Sequence, residues 1–415
     1  MQPPADFLGY DPDSLVTETL VSVITKAVII DDHGERKVVA VKAGKAKKRL
    51  VLEPHDIVKE LRLLLSLSHP AIIRVLGHDY DASQSIQRFW MPFMPFTLAD
   101  LLSVPTFSPL SDPDASTHDE EAVLAFTIVA KSVIHQVLSG VAYLHCPERR
   151  IAHRDIKPRN ILLDTSCAAV LIDFGIAYSQ TPGPRDVWPE PEGKMYFEVG
   201  SGPYRAPELL FGARKYDATA SDLWSLGTMF AEFFTTLHRR TLGDDDDDRD
   251  AVERGDATQA YHFDEPSGEW ARSEWERYSL FDGSRGDIGL AWSIFRTRGP
   301  PTPENWPTFT ELPDANKINF IDSPGVHLST LLPHLVDAPT PPPFRPGKPA
   351  RVHFPPAEQE PTALDLLHRL LVYPPDSRLR AAAALTHPWL LDDAPLTRDG
   401  KTAGEWLKIF LAPGL

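Results

Sequence analysis

The chain has 415 residues, of which 42% are hydrophobic and 24% charged, a composition that fits a globular protein with one large or two ordinary cores. Its formal net charge of −16 argues against a general nucleic-acid-binding protein, although a local basic groove is compatible with it. Two cysteines are too few for a disulfide framework, and no basic segment followed by an apolar run opens the chain, so a reducing compartment without a secretory signal is expected.

The first part of the chain alternates strand-like runs with one helix. Residues 15–42 are rich in Val, Ile and Thr, and "DDHGE" is a turn between two such runs. The segment "EPHDIVKELRLLLSLSHP" predicts a helix with Pro54 in its first turn. Two further apolar runs, "AIIRVLGHDY" and "QRFWMPFM", predict strands. Residues 15–94 are therefore predicted to form a small β-rich lobe with one helix.

Long helical patterns dominate the rest, beginning with "EAVLAFTIVAKSVIHQVLSGVAYLH", so residues 95–391 are predicted to form a larger, mainly helical lobe in an α+β fold. Residues 240–279, which include "GDDDDDRD", predict a solvated insertion. Residues 337–361 are proline-rich and predict an extended surface connection, and residues 392–415 form a C-terminal tail. The apolar segment "LWSLGTMFAEFFTTL" is too short to cross a bilayer, so no membrane span is expected.

Two motifs identify the chemistry. "AHRDIKPRNILLD" and "LIDFGIA", whose aspartates lie eighteen positions apart, resemble the catalytic segments of the eukaryotic protein kinases. The resemblance implies a bilobal kinase fold that uses ATP and Mg²⁺. It implies that Asp155 accepts or orients the target hydroxyl and that Asn160 and Asp173 hold the metal. Lys157 suits a contact with the transferred phosphoryl group and is typical of serine/threonine rather than tyrosine kinases.

The resemblance extends to the nucleotide site. In "VAVK", Lys42 should reach the phosphates and pair with a helix glutamate, for which Glu60 is the candidate. Helical spacing places Glu60 on the inward face, where a charge needs a partner, although a position at the solvent edge is the alternative. By alignment with the family, the adenine pocket is assigned to five residues, with ordinary core packing as the alternative for each: Ala40, Met91, Pro92, Met94 and Leu162.

Several phrases are similar to the cyclin-dependent kinases and their relatives: "PHDIVKE", "YRAPELLFGARKY" and "SIFRTRGPPTPENWPTFTELPD". The resemblance implies that Glu208 pairs with Arg378 and that Asp222 supports the catalytic loop, both structural roles. Gly200 alters the pocket for the residue that follows the target hydroxyl, and Arg205 keeps that pocket's usual frame, which leaves a requirement for proline there open.

The activation loop departs from the family. Its phosphorylated threonine corresponds to Tyr196, and the three arginines that bind the phosphate correspond to Lys59, Arg154 and Tyr178. One guanidinium remains, and a lysine does not replace a bidentate grip. We therefore expect other contacts to hold this loop, with Glu198 as a candidate standing negative charge near Arg154.

The glycine-rich turn that normally covers the phosphates is absent, since "TLVSVITKA" contains no glycine. Its amides could still form a cover, with Ser22 and Thr25 adding small polar contacts, so weaker nucleotide binding is expected and not abolished transfer. Divergent single-subunit fungal kinases that activate cyclin-dependent kinases share both departures, which is an analogy at family level.

The favoured interpretation is a serine/threonine kinase that phosphorylates the activation-loop threonine of cyclin-dependent kinases and does not require a cyclin. One alternative is a cyclin-dependent kinase with another substrate, such as the RNA polymerase II tail. Another is a pseudokinase scaffold, favoured only by the missing glycines. The stretch "KAGKAKKRL" could be a nuclear signal or a solvated loop, so the nucleus, the cytoplasm or both are expected.

Overall fold

The computed structural model describes residues 7–30, 34–109, 120–191, 193–239, 275–321, 323–335, 361–391, 397–398 and 401–411. Its N-terminal lobe is a five-stranded antiparallel sheet in the order β1-β2-β3-β5-β4. The strands are β1 (Phe7–Glu18), β2 (Ser22–Ile30), β3 (Arg36–Lys45), β4 (Gly77–Asp81) and β5 (Ile86–Pro92). The predicted β-rich lobe is confirmed, and its first strand begins before residue 15.

One helix, α1 (Ile57–Ser66), packs beneath this sheet. Its cap is Asp56, whose carboxylate accepts hydrogen bonds from the backbone N–H groups of Val58 and Lys59 at 3.0 and 2.9 Å. Pro54 lies two residues before the cap, so its predicted place in the first turn is wrong. Because Asp56 satisfies two amides at the helix start, the beginning of α1 is fixed close to the site described below.

The C-terminal lobe is mainly helical. Its helices are α2 (Leu98–Leu102), α3 (Glu120–His145), α4 (Pro207–Leu210), α5 (Ala218–Glu232), α6 (Gly286–Arg298), α7 (Ala363–Leu370), α8 (Ala381–Ala384), α9 (Pro388–Leu391) and α10 (Ala403–Leu411). Within the described ranges, α3 is the helix whose length and composition would suit a bilayer span, but many of its apolar side chains lie in the lobe's core. α5 is buried almost throughout and forms the centre of the lobe.

Short strands lie in the segments that connect these helices. They are β6 (Phe96–Thr97), β7 (Ile151–Ala152), β8 (Ile161–Leu163), β9 (Ala169–Leu171), β10 (Tyr178–Ser179), β11 (Leu237–Arg239), β12 (Trp275–Arg277), β13 (Thr397–Arg398) and β14 (Lys401–Thr402). The pair β7-β10 forms the two ends of the segment between residues 151 and 179. Within this segment, β8 and β9 pair with each other, and β8 also pairs with β6, in a three-stranded sheet.

Two predicted boundaries need correction. Residues 275–279 were predicted to belong to the acidic insertion, but β12 pairs with β11, and the buried Arg277 donates to the backbone carbonyls of Leu102, Phe107 and Thr235. Residues 240–274 of that insertion and 337–360 of the proline-rich connection lie outside the described residues. α10 of the predicted tail is part of the lobe, because Trp406 is buried and packs into the core.

Candidate active site

The catalytic loop lies between β7 and β8 and is supported from α5. The carboxylate of Asp222 accepts hydrogen bonds from the backbone N–H groups of His153 and Arg154 at 2.8 and 2.7 Å, as the resemblance implied. Arg154 has φ of 66°, a conformation that is uncommon for residues other than glycine. Two buried charge-assisted bonds from one carboxylate help to hold this strained backbone in place.

The groups predicted for phosphoryl transfer converge at Asp155. Its Oδ1 accepts a hydrogen bond from Ser201 Oγ at 2.7 Å, and its Oδ2 accepts one from Asn160 Nδ2 at 3.0 Å. Lys157 Nζ lies 3.0 Å from the same carboxylate and donates to Ser201 Oγ at 2.6 Å. All four side chains therefore meet around the Asp155 carboxylate. Ser201 was not predicted, and only its place just before "YRAPE" could have indicated it.

Lys42 of β3 joins this group to α1. Its Nζ donates at 2.8 Å to Glu60 Oε1 and at 2.8 Å to Asp173 Oδ1, so the predicted Lys42–Glu60 pair is formed and Glu60 is buried. Burial opposes the charge of Lys42, but the carboxylates of Asp173 and Glu60 raise its pKa above the ordinary value. Burial raises the pKa of Glu60 to about 7, whereas Lys42 outweighs burial at Asp173 and keeps the pKa of Asp173 low.

These residues suit a magnesium nucleotide. Mg²⁺ prefers hard oxygen ligands and commonly takes one or two carboxylates together with phosphate oxygens. Asp173 supplies a carboxylate that stays ionised, and Asn160 supplies an amide oxygen beside it. The described residues contain no cluster of three or more His, Cys, Asp or Glu side chains that could hold a metal alone. The site therefore fits a metal whose coordination is completed by the nucleotide.

An open cleft lies between the lobes. Of the predicted adenine-site residues, Met91 lines it. Ala40 lies opposite Met91 in the β3–β5 register, Pro92 follows on β5, and Leu162 lies on β8, partly buried against the core; Met94 follows just after β5. Their contacts with a base stay a prediction. Sequence reasoning missed six lining residues, of which the three isoleucines look like ordinary strand or core residues: Thr17, Thr19, Ile24, Ile73, Arg159 and Ile172.

The turn between β1 and β2 is held by hydrogen bonds among its own residues. Thr19 Oγ1 accepts hydrogen bonds from the backbone N–H groups of Val21 and Ser22 at 3.3 and 3.0 Å, and Thr19 N donates to Ser22 O at 2.9 Å. The prediction that free amides cover the phosphates is therefore wrong for these two groups. Ser22 lines the cleft as expected, but Thr25 pairs with Val41 in the sheet and is not among the lining residues. The small polar residues that line the cleft are Thr17, Thr19 and Ser22.

The activation segment is fixed by a carboxylate, but it is not Glu198, which is exposed. Glu190 accepts a bidentate pair of hydrogen bonds from Arg154, 2.7 Å from Nη1 and 2.5 Å from Nη2, and its Oε1 lies 3.8 Å from Lys59 Nζ. Burial lowers the pKa of Lys59 to about 8, and the charge of Arg154 acts in the same direction. The prediction of Glu198 is therefore wrong, and Glu190 supplies the negative charge beside Arg154. Sequence reasoning missed it because Glu190 is six residues before the aligned position, Tyr196.

A second set of contacts ties the same segment to α1. Asp56 Oδ2 accepts hydrogen bonds from the backbone N–H groups of Val187 and Trp188, and Arg62 pairs bidentately with Asp186 at 3.0 and 2.7 Å. Asp56 therefore caps α1 with one oxygen and holds the activation segment with the other. These contacts, all made by residues of the protein itself, position α1 and with it Glu60.

The C-terminal lobe contains the remaining predicted contacts. Arg378 donates to both oxygens of Glu208 at 2.8 and 2.6 Å, and both residues are buried, so this predicted pair is present. Gly200 has φ of 84°, which a side chain there would oppose, and an added Cβ would lie 3.1 Å from Arg205 Cγ. Arg205 binds the Val199 carbonyl and the Asp287 carboxylate. Gly200 thus allows the tight turn beside Ser201.

Comparisons with known proteins agree with this geometry. The model of the family described as "Protein kinase domain" matches residues 23–390. "Cyclin-dependent kinase 20" from Mus musculus is 32% identical over 267 residues, 64% of this chain and 55% of that protein, and the Homo sapiens protein of the same name is 31% identical over 268 residues, 64% and 55%. The aligned part of the chain thus spans little more than half the length of these relatives.

Two solved structures share the fold. The structure described as "Crystal Structure of the yeast RNA Pol II CTD kinase CTDK-1 complex" has a TM-score of 0.56 at 20% identity, covering 96% of this chain and 99% of the other. "Structure of the CAK complex form Chaetomium thermophilum bound to ATP-gamma-S" has a TM-score of 0.61 at 22% identity, covering 94% and 93%. With its two lobes, its Lys42–Glu60 pair and its matched catalytic loop, the chain belongs to the protein kinase family, in which it is a divergent relative of the cyclin-dependent kinases.

Proposed function

We propose that the chain is a serine/threonine protein kinase that transfers the γ-phosphate of Mg-ATP to protein hydroxyls as a single chain. One observation carries this proposal. Lys42, Glu60 and Asp173 are joined, and Asp155 is joined to Ser201, while the activation segment is held by Glu190. The contacts that a partner and a phosphate usually provide in these kinases are made here by the chain's own residues.

The chemistry follows from these positions. Asp155 lies where it can accept the proton of the target hydroxyl as the new oxygen–phosphorus bond forms and the bond from the γ-phosphorus to the nucleotide's bridging oxygen breaks. Lys157, beside it, can balance charge on the transferred group. Lys42 can hold the remaining phosphates, with Glu60 fixing its ammonium group. A magnesium ion at Asp173 and Asn160 would supply further charge neutralisation.

For the substrate we propose the activation-loop threonine of a cyclin-dependent kinase. The support is the glycine-free nucleotide turn together with an activation segment that Glu190 holds through Arg154. These features fit the resemblance to the single-subunit activating branch, which departs from the glycine pattern and does without activation-loop phosphorylation. A cyclin-dependent kinase with another substrate is the second candidate, favoured by exposed Leu50, Leu52 and Leu65 next to or on α1, the helix that faces a cyclin in that group.

The deciding experiment is an assay of the purified chain, without partner, against an unphosphorylated cyclin-dependent kinase and an RNA polymerase II tail peptide, with the modified sites mapped. Radiolabel on the activation-loop threonine supports the proposal, and activity only after addition of a cyclin supports the second candidate. The Asp155→Asn variant is the control. Equal labelling by Asp155→Asn and the unmodified chain, or no labelling by either, would indicate a pseudokinase scaffold instead of an enzyme.

A further inference from the structure

We infer that Ser279, two residues after β12, is a positioning residue for the protein substrate and acts through a hydrogen bond of its side chain. This inference rests on the proposed kinase function and goes beyond the catalytic centre. It begins from residues 201–205, which we call the substrate segment. Ser201 Oγ donates to Asp155 Oδ1 at 2.7 Å, so the segment starts at the residue proposed to accept the proton of the target hydroxyl. It adjoins the pocket that the kinase resemblance implies for the residue after that hydroxyl.

One buried carboxylate joins the substrate segment to the residues that follow β12. Glu232 Oε1 accepts a hydrogen bond from the Tyr204 hydroxyl at 2.7 Å and another from Ser279 Oγ at 2.7 Å. Glu232 is the last residue of α5 and is 4% exposed, so it affects a substrate only through Tyr204. Two donors on one oxygen fix the orientation of the carboxylate, and Ser279 is the donor that lies outside the substrate segment.

The residues after β12 contact the substrate segment at two further points. Gly283 lies so close to it that an added Cβ would be 3.0 Å from Pro203 N. The Asp287 carboxylate accepts a hydrogen bond from Arg205. All these contacts come from the stretch between residues 279 and 287. This stretch therefore supports the C-terminal half of the substrate segment, and the hydrogen bond of Ser279 is the part of that support that reaches the Tyr204 side chain.

Anchoring of the β12 stem alone is the competing explanation for Ser279. Arg277 of the same stem, however, already donates to three backbone carbonyls of the C-terminal lobe, and these bonds hold the stem without Ser279. The backbone of the substrate segment distinguishes the two explanations, since Tyr204 N donates to Ser201 O at 3.0 Å. If Ser279 positions the segment, its loss exposes such amides to hydrogen exchange more often, whereas loss of a stem anchor leaves them protected.

The test compares Ser279→Ala and Ser279→Thr with a matched control, Ser83→Ala. The Ser83 hydroxyl also donates to a carboxylate, that of Asp81, but it lies on the exposed turn between β4 and β5. Each full chain is assayed against an unphosphorylated cyclin-dependent kinase and an RNA polymerase II tail peptide, and hydrogen exchange of residues 201–205 is followed by mass spectrometry.

We expect Ser279→Ala to raise the KM for the protein substrate about three- to tenfold, as for the loss of one hydrogen bond, and to speed exchange in the substrate segment. The kcat and the KM for ATP should be unchanged, because the catalytic centre keeps its contacts. Ser279→Thr keeps the hydroxyl group and should retain most of the affinity, and Ser83→Ala should match the unmodified chain. An unchanged KM or unchanged exchange in an active Ser279→Ala chain, or equal effects in Ser83→Ala, would overturn the inference.

A double variant tests the route through Glu232. Tyr204→Phe should raise the same KM, and adding Ser279→Ala to it should have little further effect, because both hydroxyl groups bind one oxygen. Effects that multiply in the double variant would show that Ser279 acts by another route and would also overturn the inference.

Failure of the proposed kinase function is a separate result. If the unmodified chain labelled neither substrate, that function would fail. The exchange comparison does not depend on phosphoryl transfer, so it would still decide whether Ser279 positions residues 201–205.

Discussion

Replacing Glu190 with glutamine tests how the activation segment is held. Glutamine keeps the size of the side chain but removes the negative charge, so Arg154, which is 2% exposed, and Lys59, which is 4% exposed, become two buried cations beside a neutral amide. Removing one partner of a buried ion pair costs about 3–5 kcal/mol, because the remaining charge is uncompensated. That is a large part of the roughly 5–15 kcal/mol that stabilises a typical domain.

The chain can avoid this cost by releasing the segment around Glu190, so catalysis should fall along with stability. We expect Glu190→Gln to lower the free energy of unfolding by about 3–5 kcal/mol in urea denaturation. Its phosphoryl transfer should also slow, since Ser201, which binds Asp155 and Lys157, is in the same segment. Burial and the charge of Arg154 already lower the pKa of Lys59 to about 8, so loss of the nearby carboxylate should lower it further.

Glu198→Gln is the matched control, because Glu198 is exposed in the same segment and its substitution should change stability by no more than about 0.5 kcal/mol. A second variant, Glu190→Ala, opens space beside Arg154, and millimolar inorganic phosphate should raise its melting temperature but not that of the unmodified chain. A Glu190→Gln chain as stable and active as the unmodified one, or equal damage from Glu198→Gln, would refute the assignment of Glu190.

Three other predictions follow from single contacts. Thr19→Ala removes the hydroxyl group that binds the amides of the nucleotide turn, so it should lower the KM for ATP about two- to fivefold. Thr19→Ser keeps the hydroxyl group and should leave the KM unchanged. A raised KM with Thr19→Ala would contradict this prediction. Burial raises the pKa of Glu232 to about 7, so the stability contributed by its protonated form is present below pH 4.5 and is lost as the pH rises through 7. Glu232→Gln should therefore be about 2–3 kcal/mol more stable than the unmodified chain at pH 8 and about equally stable at pH 4.5. Parallel stability–pH curves for the two proteins would contradict this prediction. Trp406→Ala should cost about 3–5 kcal/mol in urea denaturation and Ile409→Ala, 49% exposed, almost nothing; equal effects would show that α10 is not docked.

The candidate catalytic residues chosen from the sequence lie close together in the structure, and this has a physical reason. Asp155, Asn160 and Asp173 lie in short segments whose spacing matches the kinase motifs, so a motif identifies them as candidates. Lys42 and Glu60 were assigned from a strand motif and the inward face of one helix, and they are 2.8 Å apart. Local periodicity was less reliable at the ends of elements, as the position of Pro54 before the α1 cap shows.

The amino-acid sequence by itself indicated the two-lobed kinase fold and the candidate catalytic residues, because short motifs with fixed spacings resemble those of the kinase family. Only the tertiary structure decided which carboxylate holds the activation segment, since Glu190 reaches Arg154 across 36 positions of chain, a distance that no local pattern encodes. Contacts between residues far apart in the chain depend on how whole elements pack, so only the tertiary structure reveals them.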